Sequence, residues 1–297
     1  MSLDIDMLFQ KEKLKKVHEI LSDTNRQFIV VDGVIGAGKT TTIKEIEKRL
    51  NKLNDYYDDE IINIKIIAIY EPVENWKSSG ALEYFYKDIP KHAYSFQTLT
   101  YITRISTLID SIYDNPDANI YIMERSIFTD RYIFMELLKP LISELEMNMY
   151  NQWCDMWGYI LPMRVDKWVL LNTSLEESLK RIASRNRDGE TNGISIEYQT
   201  NLYKKHIEFY EKLKNDGKPV VVIESNIMDE NFIDNDNKVD LIIKQIIDID
   251  LSNNNNSDND NNDNSDNDSD DDGDNDNDAN EEKEQENNIF DWFKNLF

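Results

Sequence analysis

The 297-residue chain has a single cysteine, Cys154, which excludes an intrachain disulfide framework and fits a reducing compartment. It is short of positive charge: 33 Lys and Arg stand against 58 Asp and Glu, a formal net charge of −25. That balance argues against gripping nucleic acid through its phosphates, so no direct nucleic-acid binding is expected. No apolar run approaches the roughly 20 residues of a membrane-spanning helix, and no membrane partner is expected. Near the start, Asp4 and Asp6 stand where a secretory or mitochondrial leader carries basic residues, which points to a cytoplasmic or nuclear protein. There is no internal repeat. What remains is a chain 40% hydrophobic, enough for one substantial core with residues left over for tails.

The acidity is unevenly spread. Residues 251–297 hold 16 Asp and Glu against two Lys, −14 of the −25, so the first 250 residues carry only about −11. Residues 252–280 are almost entirely Asn, Asp and Ser, and 281–288 mostly Glu, Asn and Gln. Such a stretch buries too little apolar area to offset its ordering entropy and reads as disordered. Four segments are expected: a helical extension (1–25), a folded domain (26–250), an Asn/Asp-rich linker (251–288) and an aromatic C-terminal peptide (289–297).

The extension shows a helical period in Leu14, Val17 and Leu21, with Lys between them. Short, nearly continuous Val/Ile runs follow at Phe28–Val31, Ile61–Tyr70, Ile120–Met123, Trp168–Leu171 and Val220–Ile223, separated by helical patterns. Continuous apolar runs suit strands buried on both faces, and alternation with helices predicts an α/β fold with a doubly wound parallel sheet. Ligands in such folds sit beyond the carboxyl ends of the strands, so the residues just after each run matter most.

After the first run, Gly33-Val34-Ile35-Gly36-Ala37-Gly38-Lys39-Thr40 fits G-x-x-x-x-G-K-[ST] between a strand and the helical stretch that starts at Thr41. Glycines let backbone N–H groups turn inward around phosphate oxygens, and the following helix N-terminus favours negative charge. Lys39 would reach the β- and γ-phosphates of ATP, and Thr40 would offer its hydroxyl to Mg²⁺. A phosphate loop alone does not separate a GTPase, a motor, a nucleotide kinase and a nucleoside kinase.

The other strand ends are more specific. Glu71-Pro72-Val73-Glu74-Asn75-Trp76 follows the second run, and Glu124-Arg125-Ser126 ends the third, with Asp130-Arg131-Tyr132 behind it. Phe96-Gln97 and Arg104 lie between them; Arg181, Arg185 and Arg187 precede Glu190. This ordered set resembles the deoxynucleoside kinase family, in particular its deoxycytidine and deoxyguanosine kinase branch. The resemblance implies a P-loop kinase fold, ATP with Mg²⁺, a deoxynucleoside substrate phosphorylated on its 5′-hydroxyl, and a homodimer formed through helices, including the segment from Ile102 to Tyr113. Glu71 matches the family's catalytic base. Glu124 would help hold Mg²⁺, and Arg125 would stabilise the transferring phosphoryl group. The three arginines from Arg181 onward resemble a lid that closes over the phosphates. Gln97 would read the base edge beside an Arg104–Asp130 pair, and Tyr86 and Glu190 would hold the 3′-hydroxyl. Ile35, Val73, Trp76, Leu82, Phe96 and Phe134 would line the base pocket.

Each reading has a plainer alternative. Glu71 can be a solvated loop carboxylate, Glu124–Arg125 a strand-end ion pair, the arginines a solvated helix face, and the pocket residues ordinary core. The loop departs from many relatives in having Gly36 and Thr40 for alanine and serine, changes that keep its chemistry. An extra residue between Glu190 and Ile194 leaves Glu197 as a lesser rival for the 3′-hydroxyl. His18, His92 and His206 are expected to be structural. A thymidylate-type nucleotide kinase is the nearest rival, but such enzymes carry Arg-Glu-Pro where this chain has Tyr70-Glu71-Pro72. A nucleotide-binding switch docking through its acidic tail is the rival from another class. In the C-terminal peptide, Ile289 stands three positions before Trp292-Phe293, which resembles the peptide that replication proteins insert into a sliding clamp, with Glu286 in place of glutamine. That makes it a candidate docking segment, against the alternative of a terminal helix packing weakly on the kinase.

Overall fold

A computed structural model describes residues 2–56, 64–185, 194–224 and 232–247, with side chains from Gln10 and, in the second helix, up to Lys52. The expected linker and C-terminal peptide lie outside the described residues, as do Arg187 and Glu190.

Five parallel strands form one sheet in the order β2-β3-β1-β4-β5. They are β1 (Gln27–Asp32), β2 (Ile66–Ile69), β3 (Ile120–Glu124), β4 (Lys167–Asn172) and β5 (Val220–Glu224). All five fall on the Val/Ile runs; in the second run β2 covers Ile66–Ile69, and residues 61–63 of that run lie outside the described residues. Val31 pairs with Glu124 on one side and Val169 on the other. This register brings the carboxyl ends of β1 and β3 together.

Alternation along each strand divides the core. Ile29 and Val31, with Ile120, Ile122, Val169 and Leu171, face α2 (Lys39–Tyr56), α10 (Ile196–Asn215) and α11 (Asp236–Ile247). Phe28 and Val30, with Tyr121, Met123, Trp168 and Leu170, face α1 (Ser2–Ser22) and α5 (Ile89–Asp114). Period-two alternation with both faces apolar is what a sheet covered on both sides requires.

A third cluster lies off the sheet. Trp76 of α3 (Val73–Ser78), Leu82 and Phe85 of α4 (Ala81–Lys87) and Phe96, Tyr101 and Ile105 of α5 pack with Tyr150 and Cys154 of α8 (Glu144–Ile160). Cys154 is buried there as core. Between β3 and α8 run α6 (Ile127–Thr129), a π-helical turn over Asp130–Phe134, and α7 (Met135–Leu138). Among the described residues no helix is long and apolar enough to cross a membrane.

Candidate active site

The phosphate loop joins β1 to α2, and its three glycines all have positive φ: 146° at Gly33, 80° at Gly36 and 96° at Gly38. At Gly36 the demand is also steric, since a Cβ there would meet the Ser178 carbonyl oxygen at 2.5 Å. Ser178 lies on α9 (Leu175–Arg185), so the glycine is what lets that helix approach the loop. Lys39 is buried and donates to the carbonyls of Gly33 and Val34 at 3.2 and 3.1 Å. Burial, with Arg125 nearby, brings its ammonium down to about 8. Thr41 lines the same cavity one residue after Thr40.

Glu71 follows β2 and enters the site between two arginines. Its Oε1 accepts from Arg104 at 2.9 Å, and both its oxygens accept from Arg125 Nη1 at 3.0 Å. Burial works to raise its pKa, but Arg125, Arg104 and Lys39 outweigh it and hold the carboxyl down at about 2. The solvated-loop reading of Glu71 therefore fails. Arg125 itself sits at φ 61°, an uncommon backbone for a non-glycine residue, of a kind concentrated at functional sites. Its Nη2 donates to Gly33 O at 3.0 Å, and its guanidinium carbon lies 4.8 Å from the Phe134 ring centre.

Arg104 reaches across from α5. Its Nε and Nη2 meet the two oxygens of Asp130 at 2.8 and 3.2 Å, and its Nη1 donates to Glu124 O at 2.9 Å. Burial lowers its pKa, but Asp130 and Glu71 more than reverse that. The π-helical turn, a geometry frequent at functional sites, carries both Asp130 and Phe134 to the cavity.

The cavity measures about 440 Å³, within the usual range for small-ligand sites. Its lining includes every apolar residue expected there, together with Tyr86, Gln97, Arg181 and Arg185. Phe96 stacks on Phe85 at 4.4 Å and meets Trp76 edge-on at 5.9 Å. Trp76 Nε1 is fixed by Thr103 Oγ1 at 2.9 Å. Gln97 is buried, and its Oε1 has no hydrogen-bond partner. Arg181 donates to Ala37 O at 3.2 Å and to Glu177 at 2.9 Å, so α9 already touches the loop.

One residue departs from what the sequence suggested. Tyr70 turns back to hydrogen-bond Glu47 of α2 and does not line the cavity, so it is the absence of an arginine, rather than the tyrosine ring, that bears on a substrate phosphate. His206, expected to be structural, is buried and contacts Asp32 at the end of β1. Thr100 also lines the cavity. One helical turn after Gln97, it shares that residue's face, and the spacing alone could have found it.

The sequence matches the deoxynucleoside kinase family over residues 29–250. The chain belongs to this family. A fowlpox virus protein named probable deoxycytidine kinase is 32% identical over 230 residues, 77% of this chain and 89% of that protein. Deoxycytidine kinase 2 of Gallus gallus is 27% identical over 276 residues, 82% of this chain and 92% of that protein. Deoxyadenosine kinase of Dictyostelium discoideum is 30% identical over 206 residues, 69% of this chain and 71% of that protein.

The protein is therefore an ATP-dependent deoxynucleoside kinase, and neither the nucleotide-kinase reading nor the switch is favoured. A divalent metal would find two oxygen donors already in contact, since Thr40 Oγ1 donates to Glu124 Oε1 at 2.7 Å. Among the described residues no three His, Cys, Asp or Glu side chains form a metal cage. A hydroxyl and one carboxylate would suit a divalent ion that takes most of its ligands from nucleotide phosphates and water.

Proposed function

We propose that this kinase moves the γ-phosphoryl group of ATP, bound with Mg²⁺, to the 5′-hydroxyl of deoxycytidine or a purine deoxynucleoside in preference to thymidine. The observation that carries the reading is Gln97, a buried amide with an unpartnered oxygen in the cavity wall, beside Phe96. A buried acceptor left unpaired is costly, and the exocyclic amine of cytosine or adenine would satisfy it. Arg104 has four of its five N–H groups committed to Asp130, Glu71 and Glu124 O, so the pair acts as a rigid wall. That wall leaves little room for the 5-methyl group of thymine. Relatives named for deoxycytidine and for deoxyadenosine agree with either base class.

At the reacting end, Glu71 accepts the hydrogen bond of the 5′-hydroxyl. A carboxyl held near 2 is a weak base, which suits a loose transition state that demands little proton abstraction before the phosphoryl group has moved. Arg125 stabilises charge on the transferring group, while Lys39 and the loop N–H groups hold the β- and γ-phosphates. Mg²⁺, held by Thr40 and Glu124, would supply further charge neutralisation. Arg181 and Arg185, with Arg187, form the lid; Tyr86 and Glu190 hold the 3′-hydroxyl.

The proposed assembly is a homodimer. Leu145, Met149, Trp153, Met156 and Tyr159 form an exposed apolar stripe along α8, beside exposed Ile102 of α5. These helices are neighbours, with Tyr101 and Tyr150 in edge contact at 5.6 Å. Farther along α5, Leu108, Ile109, Ile112 and Tyr113 pack with α1 residues Leu14, Val17 and Leu21, so the exposed large apolar side chain of the 102–113 segment is the one at its start, Ile102. Two copies meeting through α5 and α8 would bury the stripe.

ATP consumption against a panel of nucleosides and their monophosphates tests the substrate reading. Thymidine as the best substrate overturns the base preference, and turnover of monophosphates alone overturns the nucleoside assignment.

A further inference from the structure

Asp32 ends the central strand β1 and is fully buried. Four elements converge on its carboxylate. Oδ1 accepts from Gly33 N at 2.8 Å and lies 3.2 Å from Nε2 of His206 on α10. Oδ2 accepts from Thr129 Oγ1 of α6 at 2.7 Å. Arg125 Nε stands 3.6 Å from Oδ1, beyond hydrogen-bond distance, and is a buried donor with no partner. Neither Asp32 nor His206 lines the substrate cavity.

The imidazole is held at both ends, since Nδ1 lies 2.8 Å from Leu202 O and Nε2 faces Asp32. Both neighbours are acceptors, so the ring satisfies both only with a proton on each nitrogen. Asp32 then has two N–H neighbours, His206 behind it and Arg125 in front. Without His206, Asp32 would be left facing Arg125, whose free Nε–H is one short step from a direct bond. That step would turn the guanidinium away from Glu71 and the Gly33 carbonyl, the two contacts that now aim it at the phosphate loop.

We propose that His206 is a positioning residue for phosphoryl transfer: by sharing Asp32 it keeps Arg125 directed at the phosphate loop without touching either substrate. The proposal rests on Arg125 acting on the transferring group, and the test separates the two ideas.

The experiment is a double-mutant cycle on the full-length kinase with His206→Leu and Arg125→Lys, reporting kcat per ATP-binding site alongside a thermal melt. In the wild-type background His206→Leu is expected to lower kcat at least tenfold while KM for the deoxynucleoside stays within about twofold. In the Arg125→Lys background the same change should cost less than about twofold, because the group it acts through is already displaced. An equal loss in both backgrounds would mean a merely structural histidine and overturn the proposal while leaving Arg125 its role. Near-normal kcat in Arg125→Lys alone would remove the arginine from the mechanism and the proposal with it. Should His206→Leu fail to fold, His206→Gln keeps a donor toward Asp32 without the charge, and the same cycle applies. A threefold or greater loss confined to the Arg125 background is then expected, and equal losses again overturn the idea.

Discussion

Arg104 Nη2 meets Glu71 Oε1 at 2.9 Å, so the arginine proposed to wall the base pocket also holds the carboxylate proposed for the reacting end. The proposed base-recognition and reacting residues thus share one ion-pair chain, Asp130–Arg104–Glu71–Arg125, all of it buried or nearly so.

Glu71→Gln is the direct test of the reacting end. ATP binding should persist, while kcat falls about 10²–10⁴-fold, the range for a removed carboxylate base. Near-normal turnover would take Glu71 out of the mechanism.

The acid behaviour of the same residue follows from its depressed pKa, about 2 against an ordinary 4.5. A carboxyl lowered in the folded state stabilises fully above its unfolded value and loses that contribution as pH falls through the folded one. The Tm advantage of wild type over Glu71→Gln should be constant above about pH 5 and shrink between 4.5 and 2. A gap that closes between pH 6 and 8 instead would contradict this pairing.

Arg104 and Asp130 must be changed together. Arg104→Met alone strands a buried carboxylate, which costs on the order of 3–5 kcal/mol. The double variant Arg104→Met/Asp130→Ala should recover much of that stability and accept thymidine. Because Glu71 also loses a partner, its kcat should fall for every nucleoside, so the measurement to compare is the thymidine-to-deoxycytidine ratio of kcat/KM. An unchanged ratio would show that the pair does not set base choice.

The strands and the phosphate loop were legible because their signals are local: continuous Val/Ile runs, and Gly33 to Thr40 between a strand and a helix. The Glu71, Glu124–Arg125 and Gln97 positions were legible through their order along the chain. Asp32 directly follows the first Val/Ile run, and the strand-end rule that singled out Glu71 applies to it equally. His206 could not be paired with it, since 174 residues separate them and only the packing of α10 on the sheet brings them together. The coverage of Tyr113 by α1 likewise depends on tertiary packing that no local period encodes.

The exposed stripe on α8 gives a prediction about assembly. Trp153, 43% exposed, lies at its centre. Trp153→Glu places a charge where a partner helix would pack, and sedimentation should show a dimer for wild type and a monomer for the variant at micromolar concentration. Its Tm, measured as a monomer, should show no loss of core packing. A monomeric wild type would end the dimer proposal.

Gly36 offers the sharpest local test. Its φ of 80° already strains any side chain, and a Cβ would sit 2.5 Å from Ser178 O and 3.1 Å from Ile182 Cγ1. The obstacle is backbone inside α9, pinned by Gln199, whose Nε2 donates to Ile35 O at 2.7 Å and to Ser178 Oγ at 3.2 Å. Helix and loop cannot part without breaking that bridge, so Gly36→Ala must move α9, which carries the proposed lid residues Arg181 and Arg185. The left-handed backbone alone costs roughly 1–2 kcal/mol for alanine, and the displaced lid should raise KM for ATP at least tenfold while KM for the deoxynucleoside changes little. Gly158 is the control: a Cβ there meets nothing within 4 Å. It lies on α8, so alanine should be neutral or stabilise by about 0.5–1 kcal/mol. If Gly36→Ala keeps wild-type Tm and KM for ATP, the close approach of α9 to the loop is not needed for nucleotide binding.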